Sequence, residues 1–574
     1  MIKVRVVPCD ERWAWDPFEY MIAVQISNPP PRTEDHPFSR TNINKIMTWL
    51  EECDLTHRLC KYTLARYSPT RLLAVKGDMP LQISTHHVGN PRYVALSYCW
   101  GALTTKQRLF QITNSNYGAR VSGFDITELP KTLRDAVRIT RGLGIDYIWI
   151  DAICIIQDND EDWAREAAQM DKVYSHASLT VAAATSRSSL DGFLKPRRGS
   201  CQTSLGFSFT DLQPLHSPIA LEETGTIHFR YPLERRIKDH LKVCEWNKRG
   251  WTLQERFLSS RILYFTEDVL YFECATSQNV ENPGYKLPGR LRLPMLLAES
   301  KTPTDLEQKD RREEYLSNWY QVISEYSEKI LGRPSDKLPA IEGLAAVLRE
   351  VIDDTYSYGL WNSDLHRGLL WAAPVSWTHP RGGYRAPTWS WASRDGCVIW
   401  DPKTFEPGWE SMIEHHKISP PQECSHCNQF QGVRLELIAP VAPLGDVLQA
   451  FLGPDDSDED LDDWGELKSW DDDFADLGSV IIDDDNNKPW ISDTQMMLIA
   501  KKAENQNFQA ILIQPCSNSN YFKRIGHFIS GPTRTYESEE TGGSEEIESD
   551  DGMVYENFDE PIRAVFALAQ RTLV

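Results

Sequence analysis

The 574-residue sequence has no G-x-x-x-x-G-K-[ST] loop, no G-x-G-x-x-G turn, no H-E-x-x-H and no G-x-S-x-G. Those absences argue against a P-loop NTPase, a dinucleotide-binding dehydrogenase, a zincin and an α/β-hydrolase. No uninterrupted apolar run reaches the length of a membrane span. Met1–Val7 alternates basic and apolar residues until Pro8, Cys9 and Asp10 break it, so it does not read as a signal peptide. The 12 cysteines follow no disulfide-framework spacing, which fits a reducing compartment and a cytoplasmic protein. Positive charge is also scarce: 61 basic against 83 acidic residues leave a net charge of −22. Such a surface repels nucleic acid and anionic membranes, so neither is expected as a partner. No internal repeat is visible.

Aromatic residues are plentiful, and 19 are Trp, which calls for large interiors or aromatic-lined grooves. The length predicts two or three domains. The first region, 1–90, carries strand-like pieces at Ile2–Val7 and Met21–Ile26 and a short helix beginning at Ile46–Leu50. That helix leads into Cys53, His57 and Cys60. Pro69–Val75 and Leu81–Ile83 read as short strands or connectors.

The clearest patterning lies in 91–275. Tyr93–Tyr98 is a β run ending at Cys99-Trp100-Gly101. Leu129, Leu133, Ala136, Val137 and Thr140 share one helical face, with Pro130 at the start and Gly142 and Gly144 at the exit. Tyr147–Ile150 is a continuous apolar strand ending in Asp151. A second helix is expected from about Asp160 to Tyr174, its buried stripe formed by Trp163, Ala167, Met170 and Tyr174. Leu179–Ala184 is the next strand. The β-α-β-α-β order predicts a parallel sheet, in which ligands bind at the carboxyl ends of strands. Ser97, Tyr98, Trp100 and Asp151 fall at such ends. Residues 185–240 read as an irregular insertion. Trp251–Leu258 then forms a short helix, followed by strands at Arg261–Phe265 and Val269–Phe272.

Residues 276–400 read as a helical, Trp-rich region. Leu316, Trp319, Tyr320, Ile323 and Ile330 form one stripe, and Pro339–Val351 a second helix. Residues 401–574 read as β-rich, interrupted by acidic tracts at Asp455–Asp485 and Glu537–Asp551 that are too poor in apolar residues to fold. Two Cys/His clusters stand out: Cys53, His57 and Cys60, and Cys424 with Cys427 near His415, His416 and His426. Structural zinc needs four ligands, and neither cluster alone supplies a convincing fourth, so packed free thiols and no metal are expected.

Three segments together resemble the fungal heterokaryon incompatibility (HET) domain: Tyr93–Gly101; Leu129–Ala136 continuing through Tyr147–Asp158 to Met170, Tyr174 and Ala177; and Arg249–Arg261. Weaker likeness continues at Trp49–Cys60, Ser335–Gly343 and Pro387–Ala392. The HET domain is a distant relative of the TIR domain, and the resemblance implies a flavodoxin/TIR-like parallel-sheet core. Some TIR proteins cleave NAD at the nicotinamide–ribose bond with a single Glu. In that reading Glu255, four residues after Trp251, is the catalytic carboxylate, and Ser97, Tyr98, Trp100, Asp151 and Trp251 contact substrate. NAD is then a substrate and no cofactor is required. The segment from Leu179 to Trp251 is longer than the matching TIR connection, which leaves a structural Glu–Arg pair, through Arg256 or Arg249, as the alternative role for Glu255. The resemblance implies non-self recognition and cell death, with a protein partner or self-assembly. A non-enzymatic signalling module and an enzyme of fungal specialised metabolism are the competing functions.

Overall fold

The computed structural model describes residues 36–58, 60, 67–86, 91–197, 202–208, 224–230, 240–267, 269–281, 286–288, 305–373, 385–406, 408–420, 422–423, 430–431, 433–447, 478–482, 493–502, 507–516, 521–530 and 567–573. The expected strands at Ile2–Val7 and Met21–Ile26, the Cys424/Cys427 cluster and the Glu537–Asp551 tract lie outside these residues. The chain forms two compact units, Met1–Thr302 and Pro303–Val574.

In the first unit, helix α1 (Arg40–Thr56) begins at Ser39, whose hydroxyl accepts from the Asn42 amide at 3.1 Å and caps the first turn. It is longer than the sequence suggests and carries Cys53 in its last turn. The strands are β1 (Leu72–Ala74), β2 (Gln82–Ser84), β3 (Tyr93–Ser97), β4 (Tyr147–Trp149), β5 (Leu179–Ala182), β6 (Gln202–Ser208), β7 (Thr224–Arg230), β8 (Arg261–Phe265), β9 (Leu270–Cys274), β10 (Ser277–Val280) and β11 (Lys286–Pro288). The remaining helices are α2 (Tyr117–Ser122), α3 (Lys131–Gly142), α4 (Asp151–Cys154), α5 (Asp160–Ala167), α6 (Met170–His176) and α7 (Gly250–Leu258).

Nine strands build one sheet in the order β11-β10-β9-β8-β5-β3-β4-β1-β2. The middle four, β8-β5-β3-β4, are parallel. Numbered along the chain from β3 they run 4-3-1-2, which is the flavodoxin-like order, with its switch point between β3 and β5. Every residue of β3 and β5 is buried, as strands covered on both faces must be. The α/β fold expected from the sequence is therefore present, but the sheet is parallel only at its centre. β9, expected within the parallel core, runs antiparallel to β8, and β1 runs antiparallel to β4. A two- to five-residue connection leaves no room for a crossover helix, so Phe265 to Leu270 has to turn back as a hairpin.

The segment 185–240 is not wholly irregular: β6 and β7 pair as an antiparallel hairpin. The expected helix from Asp160 to Tyr174 breaks at Ala168 and Gln169 into α5 and α6. Its stripe also differs. Met170 and Tyr174 are buried, whereas on α5 the buried side chains are Asp162 and Glu166, at 3% and 1% exposure. The physical reason is Arg71, just before β1, itself 5% exposed. Its guanidinium donates to the Cys154 carbonyl at 2.6 Å and to Asp162 Oδ2 at 2.5 Å, and lies 3.4 Å from Glu166 Oε1. Asp162 Oδ2 also accepts from the Ile156 amide at 2.8 Å. A buried ion triad thus replaces apolar packing and holds the chain just after Asp151 against β1.

In the second unit, helix Asp305–Ser327 buries Leu316, Trp319, Tyr320 and Ile323 as expected, but Ile330 lies beyond the helix end and is 66% exposed. Pro339–Ile352 forms the second helix. Trp361, Trp371, Trp389 and Trp391 are fully buried. The C-terminal strands form a sheet that closes on itself, because Arg434–Pro443 pairs with both Ala567–Leu573 and Gln495–Lys502. Part of the expected unstructured tract contributes to it: Gly478–Ile482 pairs antiparallel with Phe522–Ser530, since Val480, Ile481 and Ile482 give that stretch strand character amid the acidic residues.

Replacing Arg71 by Met removes the buried cation of two buried carboxylates and leaves them only the exposed Arg165, which bonds Asp162 and lies 3.6 Å from Glu166. Breaking a buried pair from one side costs about 3–5 kcal/mol, and urea unfolding of purified R71M should show a loss of that order. A loss under about 1 kcal/mol would show that the triad is not holding this part of the domain.

Candidate functional site

The carboxyl ends of β3 and β5 define the crevice where the strand order reverses, and the residues singled out in the sequence gather there. Strand alternation sends Val94, Leu96 and Tyr98 into one core and Cys99 into the other, with Ala182, Trp246 and Tyr264. Ser97, fully buried, receives the Trp246 indole N–H at 2.7 Å and donates its own hydroxyl to Glu255 Oε2. Glu255 comes from α7, and α7 straddles the switch point: Glu255 reaches β3, while the Ser259 hydroxyl at the helix end lies 2.6 Å from Thr180 Oγ1 on β5 and donates to the Glu255 carbonyl at 2.6 Å.

Glu255 is 4% exposed. Burial raises its pKa from 4.5 to about 7, against the opposing pull of Arg249 and the Ser97 hydrogen bond, and Asp151 adds to the rise. Arg249, half-buried, is the local cation; burial draws its pKa down, but Glu255, Cys99 and Asp151 outweigh that and keep it above its ordinary value. It also donates to the Tyr98 carbonyl. Of the two arginines the sequence offered as partners, Arg249 is therefore the one whose charge acts on Glu255. Arg256 packs over the Phe257 ring.

Asp151 stands one residue past the end of β4's apolar run and opens α4. Its Oδ1 accepts from the Ala152 amide at 2.7 Å and its Oδ2 from the Trp100 indole at 2.7 Å. It thus meets an amide of the first turn of α4 and orients a ring with the same carboxylate. Burial raises its pKa, while Arg249 and Trp100 work against the rise. Tyr98 is 1% exposed and packs in the core; burial, and then the charge of Asp151, push its phenol well above the ordinary tyrosine range. Trp100 and Trp251 are half-buried. Trp251 meets Trp163 edge-on, with ring centroids 6.5 Å apart.

The turn carrying Trp100 depends on Gly101, which adopts φ +76°; a Cβ there would sit 2.4 Å from the Ser188 Cβ. That approach is fixed from the far side. The Trp100 carbonyl accepts from the Ser189 amide at 3.1 Å, Thr132 on α3 holds the Ser188 and Ser189 carbonyls, and Asp135 accepts from the Phe193 and Leu194 amides. The start of the supposed insertion is therefore a clamp on the Trp100 turn.

The site assembled here joins Ser97, Tyr98, Trp100, Asp151 and Glu255 through Arg249 and Trp246. Trp246 went unnoticed in the sequence because nothing in its local pattern separates it from the other core indoles. A second constellation also goes beyond the sequence reading: Cys274 on β9 joins Cys53, His57 and Cys60, and one ligand atom from each lies within 4.8 Å of the others. Among the described residues, all cysteines are free.

Fold and site together define an α/β domain of flavodoxin-like strand order with a carboxylate enclosed at its switch point. Residues 93–255 match the family model described as heterokaryon incompatibility protein (HET), a match that opens on the first residue of β3 and closes on Glu255. Over these residues the chain carries a HET domain. Comparison with curated proteins gave no match, and neither did comparison with solved structures.

A folded-state pKa raised to about 7 makes a stability prediction. Below pH 4.5 Glu255 is protonated folded and unfolded; between 4.5 and about 7 the unfolded state ionises first, so the folded state holds more protons and stability falls as pH rises. The shift corresponds to about 3 kcal/mol. Urea unfolding of wild type and Glu255→Gln across this range should show the wild type losing about that much relative to the variant. Parallel pH profiles would mean that the carboxyl is not enclosed as described.

Proposed function

We propose that this HET domain is an effector of non-self recognition that hydrolyses NAD, with Glu255 as the catalytic carboxylate. The observation that carries the reading is an enclosed, tuned carboxylate at the switch point, where open α/β sheets bind ligands. Departure of nicotinamide takes the electron pair of the N-glycosidic bond and leaves an oxocarbenium-like ribose, which water then attacks. A carboxylate against that ribose stabilises the developing positive charge. Trp100, half-exposed and oriented by Asp151, is suited to stack on a base. Arg249 is suited to a phosphate. NAD serves as substrate only, and no bound cofactor is invoked.

A specific feature favours a second reading, a signalling module that works by binding a protein partner or by self-assembly. Glu255 and Tyr98 are 4% and 1% exposed, so in this conformation substrate does not reach them, and the Ser97–Glu255 bond fastens α7 to β3. Under the enzymatic reading, assembly or partner binding opens the crevice. In either case the protein acts in the cytoplasm. Among the described residues no helix is long and apolar enough to cross a membrane.

The experiment measures NAD loss and thermal melting together for wild type and Glu255→Gln, at concentrations that favour assembly. The enzymatic reading expects turnover that rises with pH through about 7, as Glu255 ionises, and falls roughly a hundredfold or more in the variant. Undiminished turnover in a folded variant would remove Glu255 from the chemistry. No turnover in an assembled wild type would leave the signalling reading standing.

A further inference from the structure

We propose that Cys53, His57, Cys60 and Cys274 form a structural Zn²⁺ site that ties the segment before the HET domain to its sheet. Cys53 lies in the last turn of α1, His57 caps that helix with its backbone N–H on the Cys53 carbonyl, and Cys60 follows. Cys274 ends β9, more than two hundred residues later. Folding brings the four together in the interior: Cys53 and Cys274 are 0% exposed, Cys60 6% and His57 9%.

The spacing fits tetrahedral zinc. With Zn–S near 2.3 Å and Zn–N near 2.0–2.1 Å, neighbouring ligand atoms of a tetrahedron lie roughly 3.5–3.8 Å apart. His57 Nδ1 lies 3.4 Å from Cys274 Sγ and 3.9 Å from Cys60 Sγ, and all four donor atoms fall within 4.8 Å of one another. Three thiolates and an imidazole are the soft, borderline donor set that selects zinc over calcium or magnesium.

The surroundings support thiolates. The Thr276 and Ser277 backbone amides both point at Cys274 Sγ, at 3.4 and 3.2 Å, and the Ser277 hydroxyl lies at 3.4 Å. Arg261 of β8 donates its Nε–H to Cys53 Sγ at 3.1 Å and pairs with Asp54 at 2.5 Å. On binding, three thiols release protons, and Zn²⁺ with three thiolates and a neutral His carries a net charge of −1. A half-buried guanidinium beside that charge, with amide donors on one sulfur, is the outer support such sites need. Packed thiols alone give no reason for four donors from two distant segments to converge, nor for two amides to aim at a single sulfur.

Elemental analysis of the full chain purified under reducing conditions should find one zinc per chain, and cobalt substitution should give tetrahedral d–d bands with thiolate charge transfer. Cys274→Ser and Cys60→Ser should each lose the metal, and His57→Ala should bind it about tenfold more weakly or worse. His57→Cys should restore binding, and Cys244→Ser, outside the cluster, should keep full occupancy. Should the serine variants misfold, the metal content and cobalt spectrum of the wild type still decide the question. No zinc in the wild type, either as purified or after incubation with the metal alone, overturns the proposal. So does a disulfide within the cluster in freshly prepared protein.

Discussion

Keeping a carboxylate inside the sheet domain is the constraint around which the HET core is arranged. An isolated buried carboxylate is costly unless donors and a cation meet it. Here the donor is Ser97, which is itself held by Trp246, and the cation is Arg249. Each of these depends on something else being in place. Ser97 points the right way because β3 is a fully buried strand with fixed alternation. Glu255 reaches it because α7 is anchored on β5 through Ser259 and Thr180. The same buried environment that makes the group costly raises its pKa to about 7, where it can change charge near neutrality. Stability and chemistry therefore make opposing demands on one residue, a common condition of functional sites.

Legibility in the sequence followed the range of the signal. Helix α3 and strands β3, β4 and β5 are written locally, in period and in the run lengths of apolar residues, and their order implies the parallel centre. Ser97, Trp100 and Asp151 follow, because strand ends are legible wherever strands are. That Ser97 and Glu255 share one site was implied only through family resemblance, and their hydrogen bond was not implied at all, since 158 residues separate them and no local pattern reports a long-range contact. α5 misled for a definite reason: its inward side chains are Asp162 and Glu166, which amphipathic periodicity assigns to solvent, and Arg71, far upstream, is the buried cation that turns them into core. The antiparallel edges were missed likewise, because an apolar strand reads the same in either direction. Gly478–Ile482, hidden in an acidic tract, shows that average composition hides a short β segment.

Two clusters buried in one unit illustrate how the fold uses sequence distance. Arg71 precedes the first sheet strand and stabilises the turn after Asp151; Cys53, His57 and Cys60 precede it too and meet Cys274 beyond the last parallel strand. Arg71 completes an interaction inside the segment that matches the family, whereas the cysteine cluster joins residues ahead of that segment to one beyond its end. The segment 93–255 therefore holds the four-strand centre up to its last helix, but not all that keeps the centre rigid. Its outer parallel strand, β8, begins at Arg261, after the match ends, and Arg261 is the residue that touches Cys53.

That arrangement bears on how the crevice would open under the enzymatic reading. Trp100 is clamped from one side by Ser188, Ser189 and Thr132 and from the other by Asp151, whose following residues are tied down by Arg71. β3 and β4 thus hold their ends firmly. α7 is different: it carries Glu255, its contacts to the sheet ends are a few side-chain hydrogen bonds, and the chain before it runs through the β6–β7 insertion with no strand of the central sheet. Elements joined by few buried bonds have lower local opening free energies than a strand with neighbours on both sides. The enzymatic reading proposed above would therefore require α7, rather than the Trp100–Asp151 pair, to be the element that yields.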